Sequence, residues 1–346
     1  MILDDRKIRI LKAIVDEYIM SAVPVGSRFI SKQDEFHVSS ATIRNEMADL
    51  EELGYLAQPH TSAGRIPSDK AYRLYVNQML NRTQLSADEI RIIREHMSGR
   101  IGEVEAVIRQ AAQALSSATN YTAVVLPPML TGTRLKHVQL LPLYAGRALL
   151  VIITNNGFTR DAVIRTPDDM CYEEFERISN MLTKRYTNCR MDELGERIIR
   201  EMGEILFERR KFLNMIVEAI ERKLLPDADS MELSGAMNIL HYPEYSDVGK
   251  VKTFFAAVEG RDTLYDLLRK ASQIEFSITI GSENESECLQ DCSVVTATYR
   301  VGGEPMGSFG VIGPTRMNYG KVISVLEYMR ASLGEILGNL IHEESR

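Results

Sequence analysis

The thirty residues from Val38 to Pro67, VSSATIRNEMADLEELGYLAQPHTSAGRIP, constrain the fold of this chain more than any other stretch. Ser39 is a good helix N-cap, Glu51 and Glu52 form a late acidic turn, and Gly54 stands where a helix C′ glycine belongs. At 100° per residue with Ile43 at zero, Met47 falls near about 40°, Leu50 near about 340° and Leu53 near about 280°, one apolar stripe. Ala41, Arg44, Asn45, Ala48 and Glu52 lie opposite. Two alanines flanking an Arg and an Asn leave a face that can approach a major groove closely. Arg suits guanine O6/N7, Asn suits adenine N6/N7, and an alanine methyl suits thymine. The same face also fits an ordinary solvated helix, and the residues that follow weigh between the two.

No acidic residue occurs from Leu53 to Ser68. Tyr55-Leu56-Ala57 reads as a short strand, His60-Thr61-Ser62-Ala63-Gly64 as a turn, and Arg65-Ile66 as a return strand closed by Pro67. A hairpin of His, Thr, Ser, Gly and Arg suits phosphate or the minor groove. Upstream, Asp4 to Met20 carries Ile8, Leu11, Val15 and Tyr18 on one face, and a helix over Ser27 to Phe36 follows the break Pro24-Val25-Gly26. Three helices and a hairpin in about 70 residues predict a winged helix-turn-helix. The candidate DNA contacts are Ser39, Ser40, Ala41, Thr42, Arg44, Asn45 and Ala48 on the helix, and His60, Thr61, Ser62 and Arg65 in the wing.

Five segments, YIMSAVPVGSRFIS (Tyr18–Ser31), VSSATIRNEMADLEELGYL (Val38–Leu56), QPHTSAGRIPSDKAYRLYV (Gln58–Val76), GSEN (Gly281–Asn284) and GPTRMNYGKVI (Gly313–Ile323), closely resemble the HrcA family of bacterial heat-inducible transcription repressors. SSATIR followed by LEELGYL occurs in other winged-helix repressors; PVGS, PHTSAGR, GSEN and GPTRM together are far more specific. The resemblance runs from about Asp4 to the last helix. Ala71 departs from it, standing where the family more often has glycine, on a helix that alanine favours.

A chain of 346 residues is expected to divide into two or three domains. No apolar run approaches the roughly 20 residues that cross a membrane, and DDRKIRI at the start is not a secretory signal. Cys171, Cys189, Cys288 and Cys292 form no CxxC pair, which fits a cytoplasmic chain with reduced thiols. Charge alone would not point to DNA. The net charge is −7, and in residues 1–82 eleven Lys and Arg balance eleven Asp and Glu. A positive field must therefore be local, built from Arg44, Arg65 and helix N-termini, with acids on the far side.

Beyond the head, Ser68 caps a helix over Asp69 to Leu80, and Ser86-Ala-Asp-Glu89 has the form of a capping box. A helix over Gly102 to Ala118 leads to strands at Tyr121–Leu126, Leu135–Leu143, Arg147–Thr154 and Phe158–Ile164, the last two joined through Asn155-Asn156-Gly157. Cys171 to Met237 is dominated by helical pattern, including a long stretch over Glu193–Leu225; Gly235 to Gly249 is irregular. Strands resume at Ile274–Ile280, Ser293–Arg300 and Ser308–Ile312, the second pair turning at Gly302-Gly303, before a final helix over Asn318 to Ile341. The expectation is a multidomain α+β chain: a winged-helix head at 1–82, then a sensor-type α+β domain in two segments, 83–168 and 250–346, split by a mainly helical insertion at 169–249. The resemblance implies that the split domain is GAF-like and that the insertion dimerises.

Cys288 and Cys292 lack the His or Cys neighbours of a metal site. His60 as a nucleophile's partner conflicts with its wing-like surroundings. GSEN and GPTRM, at strand ends, rim a ligand pocket or brace loops through Asn284 and Arg316. No phosphate-cradling glycine loop, HExxH or GxSxG is present, so the reading is not an enzyme, with no cofactor or metal. The resemblance implies a repressor of chaperone operons of the groE and dnaK type. It binds the CIRCE inverted repeat on double-stranded DNA as a homodimer and is kept active by the GroEL–GroES chaperonin, with no membrane partner. Two other readings stay open on the residues: a ligand-gated regulator, and an interaction protein whose winged helix binds protein.

Overall fold

A computed structural model describes residues 3–33, 36, 38–60, 64–80, 83–97, 104–128, 134–144, 146–155, 159–167, 169–202, 210–224 and 228–344. Helix α1 (Asp5–Ser21) starts at Asp4, whose carboxylate accepts from Lys7 N at 2.8 Å, and stops at Ala22, which turns left-handed at φ 55°. Helix α2 (Ser27–Ile30) is much shorter than the expected Ser27–Phe36. Beyond it the backbone bonds close on three residues rather than four, from Lys32 N to Phe29 O and Gln33 N to Ile30 O, which tightens the chain into turns. Helix α3 (Ser40–Glu52) is followed by β1 (Leu56–Ala57) and β2 (Ile66–Pro67), paired antiparallel. Buried Ile10, Leu11 and Ile14 of α1 meet Ile30, Ile43, Met47 and Leu50, so one small apolar centre holds the three helices.

Helix α4 (Asp69–Leu74) is capped by Ser68 and runs into a π-helical turn at Tyr75–Met79. Helix α5 (Ala87–Met97) begins with both bonds of the expected capping box: Ser86 N donates to Glu89 Oε2 and Glu89 N to Ser86 Oγ. After α6 (Val104–Thr119) come β3 (Thr122–Val125), β4 (Leu135–Leu143), β5 (Arg147–Thr154) and β6 (Thr159–Arg165). Then follow α7 (Tyr172–Tyr186), α8 (Met191–Met202), α9 (Arg210–Leu224), β7 (Glu232–Ser234), α10 (Val248–Glu259), α11 (Arg261–Ala271), β8 (Phe276–Ile280), β9 (Cys292–Val301), β10 (Glu304–Pro314) and α12 (Tyr319–Glu344).

The strands do not make one split sheet. β7-β3-β10-β9-β8 form one antiparallel sheet, and β4-β5-β6 form a separate one. The expected boundary between 168 and 169 falls between two elements that pack together. Thr183 Oγ1 and Ser179 Oγ of α7 accept from Val138 N at 3.0 Å and Leu140 N at 2.8 Å, covering the outer edge of β4 with a helix. Phe175, Ile178, Leu182, Phe212 and Ile216 bury Leu140, Leu150, Ile152 and Ile164 beneath α7 and α9. Similarly, β7 lies inside the stretch read as insertion yet pairs with β3 of the larger sheet. The Asn156-Gly157 turn and the middle of the long helical stretch, residues 203–209, lie outside the described residues.

The larger sheet is buried on both faces. Val295, Ala297 and Tyr299 of β9 meet Val322, Val325 and Met329 of α12, while Val294 and Ile312 meet Phe254, Leu264 and Leu268 of α10 and α11. This layering explains why β9 and β10 read as nearly unbroken apolar and small residues rather than as an alternation. The helices α10 and α11 were not anticipated from sequence. Asp247 caps the first of them, accepting from Gly249 N at 2.6 Å.

The head docks on the body through motifs distant in sequence. Asp69 accepts from Ser282 N at 2.9 Å and from its hydroxyl at 3.0 Å. Arg73 Nε donates to Glu283 Oε1 at 2.7 Å, and its Nη2 to Ile278 O at 2.6 Å, on the outer edge of β8. Gly281 sits at φ +54° directly under Asp69, where any side chain would strike the carboxylate. Arg316 donates to Ile19 O of α1 at 2.9 Å and pairs with Glu244. Arg73 holds the Glu283 carboxyl below its ordinary range, so this clasp is present above the usual carboxylate range and is lost as pH falls through the lowered value.

Phe309 is fully buried, 6.2 Å centroid to centroid from Tyr299 at the centre of the larger sheet. Phe309→Ala should destabilise the body by about 3–5 kcal/mol, read as a lower midpoint in urea unfolding. An unchanged midpoint would mean that the core is not where the sheet places it.

Candidate nucleic-acid interface

Helix α3 owes its position to its caps and its stripe. Ser39 is extended at φ −65°, ψ 153°, and its hydroxyl accepts from Thr42 N at 3.1 Å; it also lies 3.0 Å from Thr42 Oγ1. Ile43, Met47 and Leu50 are buried, as the periodicity requires. Ala41, Arg44, Asn45, Ala48 and Glu52 are all exposed, and Ser40 and Thr42 are half-buried at the helix start.

Three of the four acids on this helix are paired with bases of the head, and Glu52, on the face of Arg44 and Asn45, is the exception among the described residues. Lys7 of α1 reaches Glu46 at 2.7 Å and Asp49 at 3.1 Å, and Arg6 reaches Glu46 at 3.4 Å. Glu46 first, then Asp49, hold the Lys7 ammonium above its ordinary range. Glu51 pairs with Arg65 at 2.8 Å. Arg44 and Asn45, by contrast, make no side-chain hydrogen bond or ion pair among the described residues. Most of the acid on α3 is thus neutralised from within the head, while the groups suited to base edges are left unpaired.

The hairpin after α3 is fixed at its base. Val25 and Arg65 exchange two backbone hydrogen bonds of 2.9 Å, adding a third short segment beside β1 and β2. Gly64 is required there: a Cβ would collide with the carbonyls of Val25 and Pro24. The motifs around Pro24 and Gly64 are therefore two sides of one contact, which sequence spacing does not reveal. Ser68 donates to Gly54 O at 2.8 Å, and Lys70 donates to Leu53 O at 2.9 Å with its ammonium 4.4 Å over the Tyr55 ring, locking the far side.

The candidate wing residues separate. His60 is exposed. Thr61 and Ser62 lie outside the described residues. Arg65 is 18% exposed and paired with Glu51, so its side chain braces the hairpin against α3 instead of standing free at the tip. Lys7, Arg6 and Glu51 were missed as contributors; the i, i+3 pattern of acids on α3 was the signal that could have drawn attention to them. GSEN and GPTRM are the docking elements described above. Asn284 Nδ2 lies within 3.0 Å of the carbonyls of Gly281, Leu289 and Cys292, the loop bracing expected of it. Arg316 braces across domains. Cys292 is buried 3.1 Å from the Tyr245 hydroxyl, and burial pushes its thiol up to about 11, which leaves it unreactive.

Residues 105–323 match the family described as the HrcA protein C-terminal domain. The chain is 40% identical over the whole of both chains to the heat-inducible transcription repressor HrcA of Pelotomaculum thermopropionicum. It is 42% identical, over 99% of each chain, to that of Ruminiclostridium cellulolyticum. A crystal structure of a hypothetical protein, 26% identical, superposes with a TM-score of 0.62, covering 98% of this chain and 100% of that one. A family match over more than half the chain and full-length relatives at this identity place the protein plainly: it belongs to the HrcA family of heat-inducible transcription repressors.

Proposed function

We infer that this chain is a non-enzymatic, DNA-binding repressor of heat-shock chaperone operons, with α1 to β2 as a winged helix-turn-helix and α3 as its reading helix. The observation that carries this is the unpaired state of Arg44 and Asn45 between Ala41 and Ala48, on a helix whose Glu46, Asp49 and Glu51 are held by basic partners. Base-reading side chains must be free to give their hydrogen bonds to DNA, and acids beside them must be compensated to admit phosphate. Ser39, Ser40 and Thr42 at the helix N-terminus, with His60, Thr61 and Ser62 of the wing, are the backbone-positioning set. Arg65 positions the wing. The target is the inverted repeat CIRCE, and the GroEL–GroES chaperonin maintains the active form, as the family resemblance implies.

An inverted repeat calls for a two-fold dimer. The sheet topology supports an insertion running from about 134 to 224, flanked by a GAF-like body of 83–133 and 225–346. On the open face of β4-β5-β6, opposite α7 and α9, Leu141, Leu149 and Val163 stand in one row of cross-strand register. Leu141 and Val163 are 40% and 57% exposed. Asp161 flanks this row on one side, and Arg147 and Arg165 on the other. Such a face is self-complementary under a two-fold axis, because the acid of one copy can meet the bases of the other. It replaces the helical segment 169–249 as the dimer contact we favour.

Arg44→Ala should cost about 1–3 kcal/mol of operator binding and relax discrimination at one base pair, with the unfolding profile unchanged. Titration against a panel of single-base operator variants reads this out, and unaltered affinity would remove Arg44 from the reading set. Val163→Arg should convert the dimer to a folded monomer by sedimentation velocity. A persistent dimer would place the interface elsewhere.

A further inference from the structure

On the face of the larger sheet away from α12, a cavity of about 330 Å³ opens between α11, the edge strand β8 and the loop that carries Glu283 and Asn284. That size is at the lower end of the range that encloses small-molecule ligands. Thr296 contributes to its lining, is 2% exposed, and its Oγ1 has no hydrogen-bond partner. A side chain on Gly310 would strike the Val295 carbonyl and then the Thr296 methyl, so it is the methyl of Thr296 that faces β10. A buried hydroxyl left unsatisfied opposes folding, and its retention beside a cavity points to a partner that arrives from outside.

The charges around the cavity narrow the partner's chemistry. Lys270 is neutralised by Glu285 at 2.6 Å, and Glu283 by Arg73. Asp266 makes no ion pair or hydrogen bond among the described residues. Lys270, one turn along the helix, attracts Asp266 without bonding it, so this is the carboxylate of the rim left with free acceptor oxygens; such a group repels anions and receives hydroxyl donors, as acids do when they bind a ribose hydroxyl. Leu267, Ile274 and Val294 supply an apolar wall.

We propose that this cavity is an effector site for an uncharged small molecule of nucleoside size, whose vicinal diol is received by Asp266. A second polar group satisfies Thr296, and a flat apolar part lies on Leu267, Ile274 and Val294. Glu283 is both a wall of the cavity and the partner of Arg73 on α4, and Asn284 braces the same loop. Occupancy therefore tightens the clasp that carries the head. Its regulatory meaning rests on the repressor reading above, whereas the site itself does not.

The test is calorimetry on the full chain without DNA, using adenosine, D-ribose and AMP as probes. Adenosine or ribose should bind saturably, and the tighter of the two assigns a nucleoside or a free sugar as the source of the diol. AMP should bind about tenfold more weakly than adenosine; equal affinity overturns the charge argument. Asp266→Asn and Thr296→Val should each weaken binding about tenfold, the latter with an unfolding midpoint equal to or above that of the parent, since it deletes an unsatisfied group. Absence of saturable binding by both probes up to roughly 10 mM overturns the site, and so does unchanged affinity in both variants. Ligand should also slow amide exchange over residues 69–74; unaltered exchange in the saturated protein overturns the transmission to the head. Because no step uses DNA, failure of the repressor reading cannot imitate any of these results.

Discussion

The attitude of the head, and with it the face of Arg44 and Asn45, depends on how α4 is gripped by the loop after β8. Asp69 and Arg73, four residues apart and so on one helical face, meet Ser282, Glu283 and the edge carbonyl of Ile278. Arg316 adds a second point of attachment at the end of α1, 10% exposed between Glu244 and Ile19 O. Single ion pairs at partly exposed sites contribute little stability. What this set contributes is geometry: a planar guanidinium bonded at once to a carboxylate and a backbone carbonyl permits few orientations. A repressor whose head must hold one attitude to the body needs that kind of restriction more than it needs strength.

Electrostatics in the head follow from its neutral balance. A basic domain would gather on any DNA, but eleven acids in residues 1–82 preclude a broad positive field. Lys7 and Arg65 are drawn into Glu46, Asp49 and Glu51, which removes repulsion at the cost of two cations that could have met phosphate. In the repressor function proposed above, affinity would then lean on base contacts and on the doubled contact of the proposed dimer. The acidic remainder of the chain discourages adventitious binding elsewhere.

Much of the head and of the segment that follows it was legible because their determinants are local. The Ser39 cap, the Ile43–Leu50 stripe, the glycine at 54 and the Ser86–Glu89 box each depend on neighbours within one or two turns, and each appears where the pattern put it. The length of α2 was not legible, since whether bonds close on three or four residues past Ile30 is decided by packing. Nor was α10, whose apolar residues lie on more than one face, so that Val248–Glu259 shows no clean stripe; α11 does keep a stripe, Leu264, Leu268 and Ala271, and was legible in principle. The role of Arg65 was misjudged from composition alone, because an acid-free hairpin says nothing of the acid on the helix behind it.

The sequence by itself determined the caps and the buried stripe of α3, the outward placement of Arg44 and Asn45, and membership of the family through motifs spread along the chain. All of these rest on short-range spacing or on residue identity. Tertiary structure alone decided that the strands divide into two sheets and that Gly64 exists to admit Val25. It also decided that GSEN and GPTRM grip the head, and that Thr296 is left without a partner beside a cavity. Strand pairing and docking join residues up to 297 apart, as between Ile19 and Arg316, and a period of two or of 3.6 carries no information over such separations. Which edges meet is settled by the summed burial of both faces, and that sum exists only once the chain is folded.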